Sequence, residues 1–325
     1  MINMMSYEMS NHHIYTRGKE EHSVRISFDS ILRAKYEIKP VVAVAAAQDE
    51  FVLASLRRAV DLGLCRALLV GGADEIRALA AREGIDLGGM EIIPCADEAQ
   101  ACKVAVQLVR ERRAQAMMKG HAPTAAILRE VLNSDHGLKK SALLSYVGVF
   151  ELPGIERMIY LTDPALNMYP NLEEKKHIIM NSLRVARALG CNTPVVACLC
   201  AIETVNPKMP PTVDAAELVQ MNRAGEIEGC VVTGPLALDN CLYREAAIHK
   251  GIEDPNAGKA DVILAPQIET GNALHKSFAH VAKARHAGVL VGATAPVIIT
   301  SRADHEDAKL NSIALAVRMA NEQAS

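Results

Sequence analysis

Tryptophan is absent from this chain of 325 residues, and aromatic residues make up only 3% of it. Proteins that bind single-stranded nucleic acids stack bases on aromatic side chains, so this composition argues against such a surface. The formal net charge of −3 gives no positive excess that would attract nucleic acid or an anionic membrane. We therefore expect no nucleic-acid partner and no membrane partner.

Long apolar runs are also missing, since none approaches the roughly 20 residues that span a membrane. The N-terminal segment MINMMSYEMSNHHIYTRGKEEH has no apolar signal core, and residues 1–22 are interpreted as a polar extension. The eight cysteines form no C-x-x-C pair, and most lie within apolar runs. Buried, reduced thiols explain this pattern, which predicts a cytoplasmic protein.

Several catalytic signatures do not occur. There is no G-x-G-x-x-G after a strand and no Walker lysine motif, which argues against a Rossmann dinucleotide site and an ATP-binding P-loop. Without H-E-x-x-H or paired C-x-x-C, a zinc centre is not expected. Without a G-x-S-x-G elbow, an α/β-hydrolase triad is not expected either. A metal-free reaction of phosphate or phosphorylated groups is compatible with what remains.

Short β-rich runs alternate with helical patterns along most of the chain. This rhythm predicts an α/β fold with a mostly parallel sheet and helices on both faces. It breaks near Gly137, where residues 141–150 and 158–162 predict an antiparallel strand pair. Among the later segments, residues 236–249 and 272–286 each predict a helix.

The stretch TSRADHEDAKLNSIALA places a polar cluster between an apolar run and a helix. Ser301 and Arg302 follow the predicted strand, and acidic residues lead into the final helix. A helix N-terminus beside a guanidinium suits phosphate or a developing oxyanion. The alternative interpretation is structural, with Asp304 as an N-cap and with Glu306 and Asp307 complementing the helix dipole.

Polar residues also follow other predicted strands, which is where ligands bind in open α/β sheets. Glycine there lets the backbone approach a ligand closely, and lysine can hold phosphate. The alternative is that these side chains cap helices or satisfy loops. The candidate binding residues are Lys119, Gly120, His121, Thr124, Thr162, Asp163, Gly234 and Asn272.

Seven stretches of the sequence together resemble the phosphate acetyl/butyryltransferase family, and the resemblance extends from about residue 27 to residue 320. They are VVAVAAAQDE, MKGHAPTAAILREVLNS, LTDPALNMYPNLEEK, NPKMPPTVDAAEL, GCVVTGPLALDNCL, GKADVILAPQIETGN and VGATAPVIITSRADHEDAKLNSIALA.

The resemblance implies an enzyme that reversibly transfers an acyl group from coenzyme A to inorganic phosphate, giving an acyl phosphate and free coenzyme A. The acyl-coenzyme A thioester is then a substrate, and no cofactor or metal is expected. Butyryl is the expected acyl group, with acetyl or branched groups as alternatives. The resemblance also implies a fermentative role and a homodimer or higher homo-oligomer.

The fold implied by the resemblance is similar to that of isocitrate and isopropylmalate dehydrogenases. Two α/β/α three-layer domains then flank a cleft. We expect residues 23–137 plus 288–325 to form the first domain and residues 138–287 to form the second, in keeping with the break near Gly137.

The resemblance suggests roles for individual residues. Ser301 and Arg302 are expected to stabilise the tetrahedral oxyanion. The candidates for holding phosphate are Arg302, Thr124 and the N-termini of the helices predicted after Gly120 and Gly234.

The family pattern also implies a base shortly after the Ser-Arg pair, to take the proton of the coenzyme A thiol. An ungapped comparison puts Ala308 at that place, so we favour the adjacent Asp307, with Asp304 and Asp163 as alternatives. Arg129 is expected either to reach a substrate phosphate or to be a solvated helix residue.

The sequence leaves two other classes of protein function open. One is a non-catalytic protein that binds coenzyme A or acyl phosphate, against which the intact Ser301 and Arg302 argue. The other is a metal-dependent dehydrogenase, which would need a cluster of acidic ligands that the sequence does not make evident.

Overall fold

The computed structural model describes residues 26–301 and 304–322. The predicted extension at residues 1–22 and the side chain of Arg302 lie outside the described residues. Within the described part, eleven strands form one mixed sheet in the order β3-β2-β1-β4-β11-β10-β5-β6-β9-β7-β8.

The strands are short and mostly buried. They are β1 Val41–Ala45, β2 Arg66–Gly71, β3 Met90–Pro94, β4 Ala116–Lys119, β5 Ser145–Glu151, β6 Ile159–Thr162, β7 Val195–Leu199, β8 Val231–Leu236, β9 Val262–Leu264, β10 Arg285–Val291 and β11 Val297–Ile298.

The helices connect these strands. They are α1 Phe28–Leu32, α2 Glu50–Asp61, α3 Ala73–Glu83, α4 Glu98–Arg110, α5 Thr124–Val131, α6 Leu172–Ala188, α7 Pro210–Arg223, α8 Leu238–Leu242, α9 Arg244–His249, α10 Ile268–Lys276 and α11 Glu306–Glu322. A π-helical turn, Ser277–Val281, extends α10.

Local sequence signals determine where several helices begin. The side chains of Asp49 and Asp97 accept hydrogen bonds from the backbone N–H groups of Val52 and Gln100 at the starts of α2 and α4. Asn171 forms a capping box at the start of α6. Such caps satisfy donors that a helix N-terminus otherwise leaves unpaired.

The sheet contains two blocks of parallel strands that run in opposite directions. Strands β1 to β4 and β11 form one block, and β6, β7, β8 and β9 form the other. Antiparallel pairing of β11 with β10, β10 with β5 and β5 with β6 joins the blocks. The predicted antiparallel pair is confirmed as β5 and β6.

Two predicted helices are shorter than expected. The helix predicted for residues 236–249 is interrupted at Tyr243, whose backbone is extended with φ −122° and ψ 120°. The helix predicted for residues 272–286 ends earlier, because β10 begins at Arg285 and pairs with β5. In both places the apolar pattern is compatible with a helix, and packing on the sheet decides the boundary.

The helices cover the two faces of the sheet differently. On one face a single apolar core runs across both blocks and takes in residues of α1, α2, α3, α6, α7 and α11. On the other face the core is divided in two. One cluster packs under α4 and α5, and the other packs under α8, α9 and α10. This split face leaves a gap above β5 and β10.

The predicted three-layer α/β class is confirmed by this architecture. The division of the chain into two domains stays a prediction. Within the described residues, no helix is both long enough and apolar enough to span a membrane.

Candidate active site

A cavity of about 230 Å³ opens in the gap between the two clusters of the split face. Six apolar residues contribute to its lining, and we call them the apolar wall: Leu128, Pro164, Ala165, Leu166, Leu290 and Ile299. The polar lining residues are Thr124, Asn272, Lys276, Thr300, Ser301 and Asp304, with Tyr146 and His275 also lining the cavity. An acyl chain and an anionic group can therefore be held side by side.

Ser301 and Asp304 form a closed turn between β11 and α11. The Ser301 backbone N–H donates to Asp304 Oδ2 at 2.8 Å, and the Asp304 N–H donates to the Ser301 carbonyl at 3.1 Å. Asp304 is buried, with 8% of its surface exposed. This turn fixes Ser301 at the edge of the cavity.

Lys309 holds the same turn from within α11. Its Nζ donates to the carbonyls of Ser301 and Asp304, at 3.0 Å in each case. The ammonium group is buried, and that burial lowers the pKa of Lys309 despite the opposing charges of Asp304 and Asp49. A buried cation placed here stabilises the polarised backbone of the turn.

The carboxylate of Asp304 also faces His286 on β10, with 3.8 Å between Asp304 Oδ1 and His286 Nε2. That separation is an ion-pair distance and too long for a hydrogen bond. Burial by itself raises the pKa of Asp304, but His286, the Ser301 N–H and the charge of Lys309 outweigh it, so the pKa lies below its ordinary value. Asp304 is thus held as a carboxylate.

Two glycines make room for the aromatic side chains of the cavity. Gly148 on β5 pairs directly with Gly288 on β10. A methyl group at Gly288 would collide with the Tyr146 hydroxyl, and one at Gly148 would lie 3.0 Å from His275 Nδ1. Glycine inside a strand commonly marks such a close approach.

His275 lies above this glycine pair and packs edge-on against Tyr146, Phe150 and His286, with ring centroids 5.2 to 6.1 Å apart. Burial, followed by the nearby His286 and Lys276, lowers the pKa of His275 to about 4. Burial likewise raises the pKa of Tyr146. Both side chains are therefore neutral at physiological pH.

Four of the residues predicted from sequence meet at this cavity. Thr124 begins α5, and Asn272 of α10 donates from Nδ2 to the Pro164 carbonyl at 3.3 Å. Ser301 and Asp304 complete the group. Thr124 and Asn272 come from opposite sides of the split face.

The segment after β4 lies at the same end of the first block as Ser301, but it serves the backbone. Lys119 is buried and donates from Nζ to the Gly120 carbonyl at 2.9 Å. A Cβ on Gly120 would lie 2.1 Å from the Ala46 carbonyl, so glycine allows the two chain segments to cross. His121 is exposed and contacts Glu98 through Nδ1 at 2.6 Å. None of these three residues is among the described residues that line the cavity.

Thr162 and Asp163 have structural partners. The Thr162 hydroxyl donates to the Tyr146 carbonyl at 3.0 Å. The carboxylate of Asp163 accepts from the backbone N–H groups of Tyr146, Ala165 and Leu166, and from Asn167 Nδ2 at 2.6 Å. Asp163 therefore shapes the loop that supplies part of the apolar wall.

Three other candidates lie away from the cavity. Gly234 belongs to β8, the last strand of the second block, and the helix after it begins only at Leu238. Arg129 is exposed in the last turn of α5. Asp307 is 79% exposed and accepts from Arg58 at 2.8 Å.

Sequence reasoning missed Tyr146, His275, His286 and Lys309. The segments YVGVF and HAGVL place a glycine two residues after an aromatic or histidine residue, and this spacing is a signal of close approach that could have found two of them. Lys309 gives no signal, because a lysine in an amphipathic helix is usually solvated.

A second cavity, of about 400 Å³, lies on the surface of α4. It is lined by Lys103, Gln107, Arg110, Glu111 and His136. It contains none of the residues predicted from sequence, and its lining residues are all of polar or charged type. Within the described ranges, no group of three or more His, Cys, Asp and Glu side chains is arranged to hold a metal ion.

Comparison with known proteins identifies the chain's relatives. Residues 95–317 match the family model described as Phosphate acetyl/butaryl transferase. The chain belongs to the phosphate acetyl/butyryltransferase family. A phosphate butyryltransferase from Clostridium acetobutylicum is 47% identical over 290 residues, which is 89% of this chain and 96% of that protein.

Solved structures agree with this assignment. A branched-chain phosphotransacylase from Enterococcus faecalis V583 matches with a TM-score of 0.76 and 31% identity, over 86% of this chain and 99% of that one. A 4-hydroxythreonine-4-phosphate dehydrogenase from Klebsiella pneumoniae matches with a TM-score of 0.53 and 14% identity, over 87% and 100% of the two chains, which shows likeness of fold alone.

Membership of the phosphate acetyl/butyryltransferase family makes the chain an enzyme, a phosphate acyltransferase. The substrates of this family are an acyl-coenzyme A and phosphate. The predicted dehydrogenase-like architecture is confirmed.

Proposed function

We propose that this enzyme is a phosphate butyryltransferase, which converts butanoyl-coenzyme A and phosphate into butanoyl phosphate and coenzyme A. The observation that carries the proposal is the cavity of the split face, where Ser301 and Asp304 line the same space as several apolar side chains. A short aliphatic acyl chain fits the apolar wall, and the reacting carbonyl then lies near Ser301. The 47% identity to a phosphate butyryltransferase supports the choice of acyl group.

In the direction of acyl phosphate formation, a phosphate oxygen attacks the thioester carbonyl carbon. The tetrahedral intermediate then collapses, the C–S bond breaks, and coenzyme A leaves as a thiolate that takes up a proton. Ser301 donates to the developing oxyanion, with Arg302 beside it in sequence as the cationic partner. Thr124 of α5 and Lys276 of α10 offer further donors to phosphate.

The reverse reaction needs a proton acceptor for the coenzyme A thiol, whose pKa is ordinarily about 8.5. We propose Asp304 for this role in preference to Asp307. Asp304 is ionised, buried and part of the cavity lining, whereas Asp307 is exposed and paired with Arg58. A carboxylate positioned in this way can also hold the thiol by a hydrogen bond before the proton moves.

Further properties accompany this proposal. The enzyme is proposed to need no cofactor, to act in the cytoplasm in fermentative metabolism, and to form a homodimer or higher homo-oligomer.

The two domains proposed are residues 23–137 plus 288–325 and residues 138–287. The break in the core of the split face, between the cluster under α5 and the cluster under α10, supports that division.

Coenzyme A release from butanoyl-, isobutanoyl- and acetyl-coenzyme A, each measured with and without phosphate, tests the proposal. Strict phosphate dependence with the highest kcat/KM for butanoyl-coenzyme A is the expected result. A preference for acetyl- or isobutanoyl-coenzyme A would assign a different acyl group. Release that does not depend on phosphate would indicate a thioesterase and reject the transferase mechanism.

A further inference from the structure

Three buried polar atoms beside the cavity have no hydrogen-bond partner within residues 26–301 and 304–322. They are His275 Nδ1, His286 Nε2 and Asp304 Oδ1. Buried polar groups in folded proteins are nearly always paired, and exceptions concentrate at sites where a ligand or a reaction uses them. Of these three residues, His275 and Asp304 also line the cavity itself.

His275 is held rigidly. Only 8% of its surface is exposed, and Tyr146, Phe150 and His286 surround the ring on the β5 and β10 side. Gly148 gives the ring the clearance that a larger residue would remove. A side chain fixed in this way loses little further freedom when it contacts a bound substrate.

The position of Nδ1 indicates which tautomer the ring adopts. A neutral imidazole carries its hydrogen on one nitrogen and a lone pair on the other. Nδ1 is buried over Gly148 and has neither a donor nor an acceptor partner among the described residues. We assign the hydrogen to Nε2, because a buried N–H group without an acceptor is rarer than a buried unpaired acceptor. His275 is then a neutral hydrogen-bond donor at a cavity that also contains Ser301.

We propose that His275 is a catalytic residue, whose Nε2–H donates a hydrogen bond to an oxygen of the acyl-transfer intermediate opposite Ser301. This inference rests on the proposed function, since it assigns a second donor to the same reaction. A neutral donor is suited to the task because it does not compete with Arg302 for the charge of phosphate. Because the ring stays neutral, the hydrogen bond that it donates also keeps the same strength across the pH range in which the coenzyme A thiol titrates.

Two amide variants separate this role from simple packing. Glutamine places its amide nitrogen near the position of Nε2, while asparagine places it near Nδ1. We expect His275→Gln to retain kcat within about tenfold, and His275→Asn and His275→Leu to lose about 10²-fold, the typical loss for one such donor. KM should change little, because the contact forms in the transition state. His280→Gln, an exposed histidine in the adjacent π-helical turn, is the matched control and should keep wild-type kinetics.

Nitrogen-15 NMR of histidine-labelled wild-type enzyme tests the tautomer directly. At pH 7 the His275 signal should show a neutral ring protonated on Nε2, whereas an Nδ1–H tautomer or an imidazolium would overturn the proposal. In the kinetic series, equal kcat for the Gln, Asn and Leu variants, compared at equal folded fraction by urea unfolding, would overturn it as well. Phosphate-dependent activity of the wild type is measured in the same series. Its absence would reject the proposed function, whereas active wild type with unaffected variants rejects only the role of His275.

Discussion

The Ser301 backbone N–H donates a hydrogen bond of 2.8 Å to the buried carboxylate of Asp304. This bond connects the turn that carries Ser301 to the residue that we propose as the thiol base. Asp304→Asn keeps an oxygen that can accept the bond and removes only the charge. We expect kcat with coenzyme A and butanoyl phosphate to fall by about 10²–10⁴-fold, the usual contribution of a general base.

Asp307→Asn is the matched control for that variant. Its carboxylate is exposed, and a surface pair such as the one with Arg58 contributes only about 0–1 kcal/mol to stability. Kinetics of coenzyme A acylation should therefore remain within about twofold of wild type. The assignment of the base would be reversed if Asp307→Asn were the inactive variant and Asp304→Asn the active one.

Lys309 is expected to matter for both stability and turnover. Lys309→Met removes the donor that the Ser301 and Asp304 carbonyls share. Hydrogen bonds to charged groups contribute about 1.5–3 kcal/mol each, so we expect the free energy of unfolding to drop by at least about 2 kcal/mol. We also expect kcat to drop, because the turn is no longer held. Urea unfolding and steady-state kinetics measure the two effects.

Lys259→Met provides the comparison, because Lys259 is an exposed lysine far along the chain from the turn. It should leave both quantities unchanged. A Lys309→Met enzyme that is destabilised but has wild-type kcat at full folding would show that Lys309 supports the fold without positioning Ser301.

Stability should depend on pH through His275. Its pKa is about 4 in the folded protein, against an ordinary value of 6.5 in the unfolded chain, so between these values the unfolded chain binds a proton that the folded protein does not. The free energy of unfolding therefore falls as pH decreases from about 6.5 to 4, by about 3 kcal/mol in total for this group. The charged or titratable groups that influence His275 are His286, Lys276, Asp304 and His280.

Urea unfolding at pH 7.5, 6.0 and 5.0 checks this expectation. The difference between wild type and His275→Gln isolates the contribution of His275 from that of other histidines. Asp304 does not interfere, since its pKa lies below its ordinary value of 3.8. Parallel stability curves for the two proteins would show that His275 is not held neutral.

Acyl-chain preference should follow the size of the apolar wall. Leu128→Ala enlarges the cavity, and we expect kcat/KM for pentanoyl- relative to butanoyl-coenzyme A to rise about 10-fold or more, as one methylene is worth roughly 10–200-fold in such pockets. Ala165→Val should shift preference toward acetyl-coenzyme A. Leu132→Ala, at the exposed end of the same helix, should not alter the ratio. Unchanged ratios in all three variants would place the acyl chain elsewhere.

The fold is largely predictable from the sequence because its signals are local. The antiparallel pair β5–β6 is readable from two short β-rich runs that lie close together on either side of Pro153 and Gly154. The break at Tyr243 is not, because the same apolar spacing suits either one helix or two. Residues 277–286 also fit a helical pattern, although pairing with β5 makes the end of that segment a strand.

The candidate site is only partly predictable, because it depends on strand direction. Since β4 and β6 run in opposite directions, polar residues at their carboxyl ends point to opposite edges of the sheet. The expectation that Thr162 and Gly234 converge with Ser301 assumes a single direction. His275 and Tyr146 come together only through the Gly148–Gly288 pairing, a contact between residues 140 positions apart in sequence.

The unbroken core on one side of the sheet affects the route by which substrates reach the cavity and products leave it. Among the described residues, apolar packing closes that side, and the cavity lies between α5 and α10 on the other side, so we expect coenzyme A, phosphate and the acyl phosphate to enter and leave there. We therefore expect the thioester and the phosphate ion to use the same opening of the cavity. A bulky coenzyme A that binds first then narrows the route for its small co-substrate.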